Sequence, residues 1–445
     1  MQYLSNILFA ILLIAGVGFF AKNIARLRRN INVGKSVDAS DNKGQRWKNM
    51  AKIALGQTKM VVRPIAGVLH IIVYVGFIII NIEVLEIILD GLLGTHRIFS
   101  GLGIVYDILI ASFEILAFLV IVAVVLFWAR RNVIRLKRFM KPEMEGWPKK
   151  DGNLILYIEL VLMVLFLTMN ATDFQLQLNG VDHYASESGI MGSFPVSQYL
   201  LPLFENMSNQ TLIVIERTAW WLHIAGILVF LNYLYYSKHL HILLAFPNTY
   251  YGKLVPKGQF ENLEAVTKEV KLMMDPSADP FVAPPEDAPV PDKFGASDVM
   301  DLSRIQLLNA YTCTECGRCT SECPANQTGK KLSPRKIMMD TRDRLEEVGK
   351  IMDENDGEFK EDGKQLLDNY ITREELWACT TCNACVEACP VSIDPLSIIM
   401  DMRQYLVMEN SAAPTDLNNM MGNIENNGAP WPFNQMDRLN WSNES

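Results

Sequence analysis

Apolar residues dominate five separate stretches in the first half of the chain, at about 4–25 (opening LSNILFAILLIAGVGFF), 65–90, 104–128, 153–172 and 212–236. Each approaches or exceeds the roughly 20 residues that a helix needs to cross the hydrocarbon core of a bilayer, so five transmembrane helices are predicted. After about residue 250 the long apolar runs stop. ENLEAVTKEVKLMMD has the spacing of a short amphipathic helix, and DPSADPFVAPPEDAPVPDKFGAS (275–297) has no apolar period and reads as a semi-rigid Pro-rich linker. From 298 to about 410 the sequence favours helix formers over alternating β-branched residues. In SPRKIMMDTRDRLEEVGKIM, Ser333 is placed to cap a helix with Pro334 in its first turn. The tail 411–445 is Asn-rich and is expected to be irregular. The predicted fold is therefore all-α. It comprises a transmembrane bundle (1–250), an amphipathic helix with linker (251–297), a helical domain (298–410) and a tail.

Charge orients this arrangement. Lys and Arg crowd the first inter-span loop (Lys22 to Lys59) and the third (Arg130 to Lys150), whereas the second has only Arg97 and none falls between Asp151 and Glu216. Because basic residues near span ends collect on the cytoplasmic side, the N-terminus is expected outside and the C-terminal half inside. The first span lacks a basic leading region and is expected to be an anchor rather than a cleaved signal. Residues 1–258 hold 24 Lys+Arg against 16 Asp+Glu, and the remainder 17 against 33. A basic membrane half beside an acidic soluble half gives no indication of nucleic-acid binding.

All eight cysteines lie in two copies of C-x2-C-x2-C-x3-C-P: Cys313, Cys316, Cys319, Cys323 with Pro324, and Cys379, Cys382, Cys385, Cys389 with Pro390. This is the run that holds [4Fe-4S] clusters in two-cluster ferredoxins, where the fourth cysteine serves the other cluster. Two clusters are expected, one on Cys313, Cys316, Cys319 and Cys389, the other on Cys379, Cys382, Cys385 and Cys323. Disulfides are disfavoured on a reducing side of the membrane. Structural zinc normally uses separated CxxC pairs rather than four cysteines in a row ending in proline.

Two clusters tethered to a membrane bundle direct attention to the six histidines. His223 and His241 are 18 residues apart on one apolar segment, five whole helical turns, which puts both imidazoles on one face about 27 Å apart. His239 would then point away. One imidazole near each membrane surface suggests two stacked b-type haems. His70, at the cytoplasmic end of the second span, is the expected partner of His241. For His223 no histidine lies level in the second span; His96 is the candidate if the chain turns back at Gly91 or Gly94, with His183 a second. Arg217 is placed to neutralise a haem propionate or to anchor at the interface, and Trp220 and Trp221 fit an aromatic belt or packing on a macrocycle.

On these residues the bundle resembles the gamma subunit of respiratory nitrate reductase and the membrane subunit of methanogen heterodisulfide reductase, dihaem b quinone-reactive proteins. The resemblance implies His223 for the outer haem and His241 for the cytoplasmic one, and VLHIIVYVGF places His70 opposite His241. The second histidine of that motif would stand at position 80, which is Ile80 here. With the two cysteine motifs, SKHLHILLAFPN and LSPRK, nearly the whole chain resembles membrane iron–sulfur oxidoreductases related to heterodisulfide reductase, including the electron-transfer-flavoprotein:menaquinone type. Those proteins usually continue into a domain with cysteine-rich CCG motifs, and no cysteine follows Cys389. The resemblance thus implies a bacterial inner-membrane electron-transfer subunit. It would link a cytoplasmic electron-transfer flavoprotein, or a separate CCG-domain iron–sulfur subunit, to menaquinone through two [4Fe-4S] clusters and one or two b haems. Two alternatives remain open at this point. One is a quinol-oxidising subunit delivering electrons to a disulfide or sulfur-compound reductase; the other is an iron–sulfur membrane anchor whose histidines bind no haem.

Overall fold

The computed structural model describes residues 3–185, 189–256, 258–260, 262–277 and 293–443. Among them the regular structure is helical, with isolated β-bridges such as Lys35 to Ser303 and no strand. The predicted linker falls mostly outside the described residues.

Five helices are long and apolar enough to cross a membrane: Leu4–Ile31, Pro64–Leu93, Ile104–Asn132, Trp147–Leu178 and Asn209–Tyr236. They exceed the predicted spans because polar ends continue the helices past the apolar runs. Pro at the start of the second and fourth spans is tolerated where no backbone donor is needed. The spans pack as a closed ring, first on second, second on third, third on fourth, fourth on fifth and fifth back on first.

Small residues set each of these five contacts. A Cβ on Gly16 would meet Leu228, one on Gly91 would meet Phe9, and one on Gly76 would meet Val120; Gly152 and Gly226 lie equally close to Arg131 and Leu162. In hydrocarbon solvent no hydrophobic force drives helices together, so close backbone approach at glycine supplies the dispersion contacts instead. Large apolar side chains such as Ile14, Ile65, Ile108, Val161 and Val229 point outward, as a lipid-facing surface requires.

The helical domain is built around Pro334–Glu354 and Pro395–Met408, with Ile337, Leu345, Val348, Ile398 and Met402 in its core. Ser333 caps the first of these helices by accepting from Lys336 N, as predicted. The core continues without a break into the end of the bundle, where Leu27, Leu234, Leu240 and Leu244 join it. Polar contacts lock the same junction: Asn30 Nδ2 donates to Tyr311 Oη (3.2 Å), Arg29 pairs with Asp353, and Lys35 N donates to Leu302 O (2.8 Å).

Two expectations fail. The fifth span does not run on to His241: its α-helix ends at Tyr233, Ser237 is extended, and a new helix starts at His241. Asp151 of the fourth span causes the break by accepting from Tyr233 Oη (2.5 Å), Ser237 Oγ (2.7 Å) and Lys238 N (3.2 Å). The tail is also more regular than its composition suggests. Thr415–Asn427 is helical, because Met420, Met421 and Ile424 fall at helical spacing, and Gly428 in the left-handed region ends it.

Candidate functional site

The two cysteine loops are one backbone design used twice. The residue before the second cysteine of each run has positive φ, Glu315 at 53° and Thr381 at 55°, as does the residue after it, Gly317 at 70° and Asn383 at 59°. Left-handed geometry is costly for a branched residue such as Thr381, and here it aims the Thr381 N–H at Cys379 Sγ (3.4 Å). The short helices that follow, Arg318–Glu322 and Ala384–Ala388, pack against each other.

This packing crosses the motifs. Cys319 lies among Cys313, Cys316 and Cys389, with Cys385 also in reach, while Cys323 is an electrostatic neighbour of Cys379 and Cys385. Cys313, Cys316, Cys319, Cys385 and Cys389 line one pocket. Among the described residues no three ligand-type side chains converge on a point fit for a single ion. Backbone amides already donate to two sulfurs, Ile393 N to Cys389 Sγ (3.2 Å) and Thr381 N to Cys379 Sγ (3.4 Å). Burial pushes the Cys313 and Cys385 thiols up to about 12 and Cys389 to about 11, so these groups stay neutral until a metal centre displaces their protons. The donor set, eight thiols in two adjoining loops, suits iron–sulfur clusters.

The surroundings of the two loops differ. Around the first, Lys59 Nζ donates to Cys389 O (3.1 Å) and Arg318 Nη1 to Lys59 O (3.2 Å), while Arg138 and Arg335 lie against Gly317. Glu315 sits among these cations, bound by Lys238 and by Arg342 (2.9 Å). Beside the second loop, Arg403 Nη2 donates to Cys379 O (2.5 Å) and Asp394 approaches Cys385. Cys382 is exposed.

Beneath the first loop lie the histidines. The rings of His70 and His241 have centroids 6.4 Å apart and planes inclined by 42°. An iron held between two imidazoles needs a separation of roughly 6.3 Å, from two metal–nitrogen bonds of about 2.0 Å and the distance from each nitrogen to its ring centre. His241 Nδ1 is engaged by Lys238 O (3.1 Å), which leaves Nε2 for a ligand, and burial holds the ring neutral. The break at Ser237 corrects the expected position of His239: instead of pointing away, its ring meets His241 edge-on at 5.5 Å, while Nε2 faces Glu159 Oε1 at 3.6 Å. Arg318, between the cysteines, is an electrostatic neighbour of His70, and the helix starting at His241 packs on Arg304–Thr312, which leads into Cys313.

At the far end of the bundle the expected outer residues have separate neighbours. His223 is fully buried, its Nδ1 3.0 Å from Leu162 O and its Nε2 without a hydrogen-bond partner among the described residues. Ile80 lies in the apolar cluster that also contains Phe166 and Ile224. The chain does turn at Gly94, but His96 goes to Asp173 (3.3 Å) and lies beside His183, with centroids 5.3 Å apart and planes inclined by 40°. Arg217 pairs with its neighbour Glu216 and lies over Trp220. This end also gathers Glu83, Glu86, Arg97, Glu114 and Asp173, which motif and spacing did not single out. For Glu83, Glu86 and Glu114 the available signal was an ionisable residue inside a predicted span.

Comparison with known proteins agrees with the cysteine chemistry. Residues 312–393 match the model of the 4Fe-4S dicluster domain. The chain is 28% identical to the probable iron-sulfur-binding oxidoreductase FadF of Bacillus subtilis, over 90% of this chain and 54% of that protein. It is 25% identical to the EtfAB:quinone oxidoreductase of Syntrophomonas wolfei, over 92% and 55%. It is 29% identical to one subunit of the Ferredoxin/F(420)H(2)-dependent CoB-CoM heterodisulfide reductase of Methanosarcina acetivorans, over 27% and 60%. The chain thus spans about half the length of the two relatives that it matches over most of its own length. No solved structure matches. Relatives named as oxidoreductases, one of them iron-sulfur-binding, a dicluster domain and five membrane-length apolar helices together describe a membrane protein that carries iron–sulfur clusters.

Proposed function

We propose that this chain is the membrane electron-transfer part of a quinone-linked oxidoreductase. It passes electrons between a cytoplasmic flavoprotein, or a CCG-type iron–sulfur partner, and menaquinone. The observation that carries this reading is the His70–His241 pair, spaced for a bis-imidazole iron and set directly below the first cysteine loop. A b-type haem bound there would supply one-electron transfer between the soluble domain and the membrane interior. A buried, neutral His241 suits that role. Lys238, the residue that fixes His241 Nδ1 through its carbonyl, reaches Glu315 in the cysteine loop, so one residue holds both parts in register. His223 has a free nitrogen but faces no second imidazole at position 80, so we propose one haem per chain. By the charge rule the cysteine domain lies in the cytoplasm.

The test is a reduced-minus-oxidised visible spectrum of the purified protein with haem and iron counted per chain. The expected result is one b haem, lost in His70→Ala and in His241→Ala, alongside about eight irons. Full iron without haem would overturn the reading in favour of an iron–sulfur anchor. The relation to a heterodisulfide reductase favours the opposite electron direction as a second reading. Cluster and haem potentials measured against that of the quinone distinguish the two.

A further inference from the structure

Far from the cysteine domain, the bundle encloses a cavity of about 250 Å³ whose walls are strongly polar, although it lies between membrane-length helices. Gly94, Thr95 and His183 at its mouth are exposed, so it communicates with the solution at that end. Buried carboxylates need compensation, and all but one of those here have it. From the second span, Glu86 accepts from Phe99 N (2.9 Å) and Tyr106 Oη (3.0 Å), and Asp90 from Arg97 N (2.8 Å) and Thr95 Oγ1 (2.5 Å). From the third span, Glu114 accepts from Val196 N (2.8 Å) and Ser197 N (3.0 Å). Asp173 of the fourth span is met by Arg97 (2.5 Å) and His96, and Glu216 of the fifth by Arg217 (2.5 Å) and Tyr184 Oη (2.8 Å).

Glu83 is the exception. It is 3% exposed, lines the cavity, and its Oε2 has no hydrogen-bond partner among the described residues. Its strongest charged neighbours are Glu86, Glu114 and Asp173 against Arg97, while Arg217, across the same cavity, is paired with Glu216 and His96 faces Asp173. Arg97 is already shared among Asp173, Tyr106 Oη (3.0 Å) and Asn170 Oδ1 (3.1 Å). Of the carboxylates around this cavity, Glu83 is thus the one with a buried oxygen that no described protein donor meets, which leaves that oxygen to water or to a proton.

We propose that Glu83 is a proton-exchanging site, loaded and unloaded by water through this cavity from the face of the membrane opposite the cysteine domain. Its role rests on the quinone reading: a quinone becomes a quinol by taking up two electrons and two protons, and Glu83 would carry one proton between the cavity mouth and the bundle interior. The site itself does not depend on that reading.

Infrared spectroscopy of the full-length protein tests it directly. A protonated-carboxyl C=O stretch is expected that shifts when H2O is replaced by D2O, disappears in Glu83→Gln and remains in Glu86→Gln. A band that persists in Glu83→Gln would overturn the assignment. Failure of the wild-type protein to show any exchangeable carboxyl band would do the same without any variant. Turnover with a water-soluble quinone should fall at least severalfold in Glu83→Gln; unchanged turnover would remove the coupling role. A wild type that reduces no quinone would count against the proposed function while leaving the infrared result intact.

Discussion

The two cysteine loops share a sequence motif and a pattern of left-handed residues, yet they sit in opposite settings. The first is buried against the membrane bundle among Lys59, Arg138, Arg318, Arg335 and Arg342. The second faces outward through Cys382 and has Arg403 beside it. A cluster gains negative charge on reduction, so nearby cations favour its reduced form and raise its potential. Repetition supplies two equivalent scaffolds, and the surrounding charge makes them unequal. The expected consequence is a downhill order from the exposed loop to the one above His70 and His241.

The crossed pairing of the loops is the sharpest point at which this comparison can break. Replacing Cys389 with Ser is expected to remove the cluster centred on Cys313, Cys316 and Cys319, and Cys323→Ser the one centred on Cys379, Cys382 and Cys385. Each variant should lose about half the iron, with a different electron paramagnetic resonance signal missing. Loss of the same signal in both variants would show that each motif serves itself.

Next in size is the buried contact that fastens the first loop alone to the bundle. Arg335 is fully buried and binds Glu143 (2.7 Å) and Arg138 O (2.7 Å). Glu143→Ala should cost about 3–5 kcal/mol by leaving that charge uncompensated. The loss would be read as a lowered denaturation midpoint, with the first-loop signal perturbed and the second intact.

The histidines give a smaller contrast. His241→Ala is expected to abolish the haem spectrum, whereas His239→Ala, which removes an edge contact to His241 and the partner of Glu159, should keep it with a shifted band. Complete loss in both would make His239 a ligand. The smallest effect is electrostatic. Arg318→Gln should lower the midpoint potential of the first-loop cluster in a redox titration and leave the second unchanged, and the difference between the two should shrink with it. Equal potentials in the wild type would remove the asymmetry altogether.

Much of this was legible along the chain. Apolar length is a local property, and so the five spans could be read without knowing what they touch. The cysteine spacing is local too, because three of the four thiols expected on each cluster lie within a single short loop. Helical periodicity failed at Ser237 because it assumes an unbroken helix, and the hydrogen bonds that break it come from Asp151, some 86 residues earlier. That break brought His239 beside His241.

The all-helical membrane architecture and the iron–sulfur chemistry follow from residue type and short-range spacing along the chain. Folding was needed to bring His239 beside His241, to set one cysteine loop against the membrane among cations, and to leave one of several buried carboxylates without a donor. Those properties depend on side chains from distant segments sharing a low-dielectric space, where each pairing or missing partner fixes the charge that a group can carry.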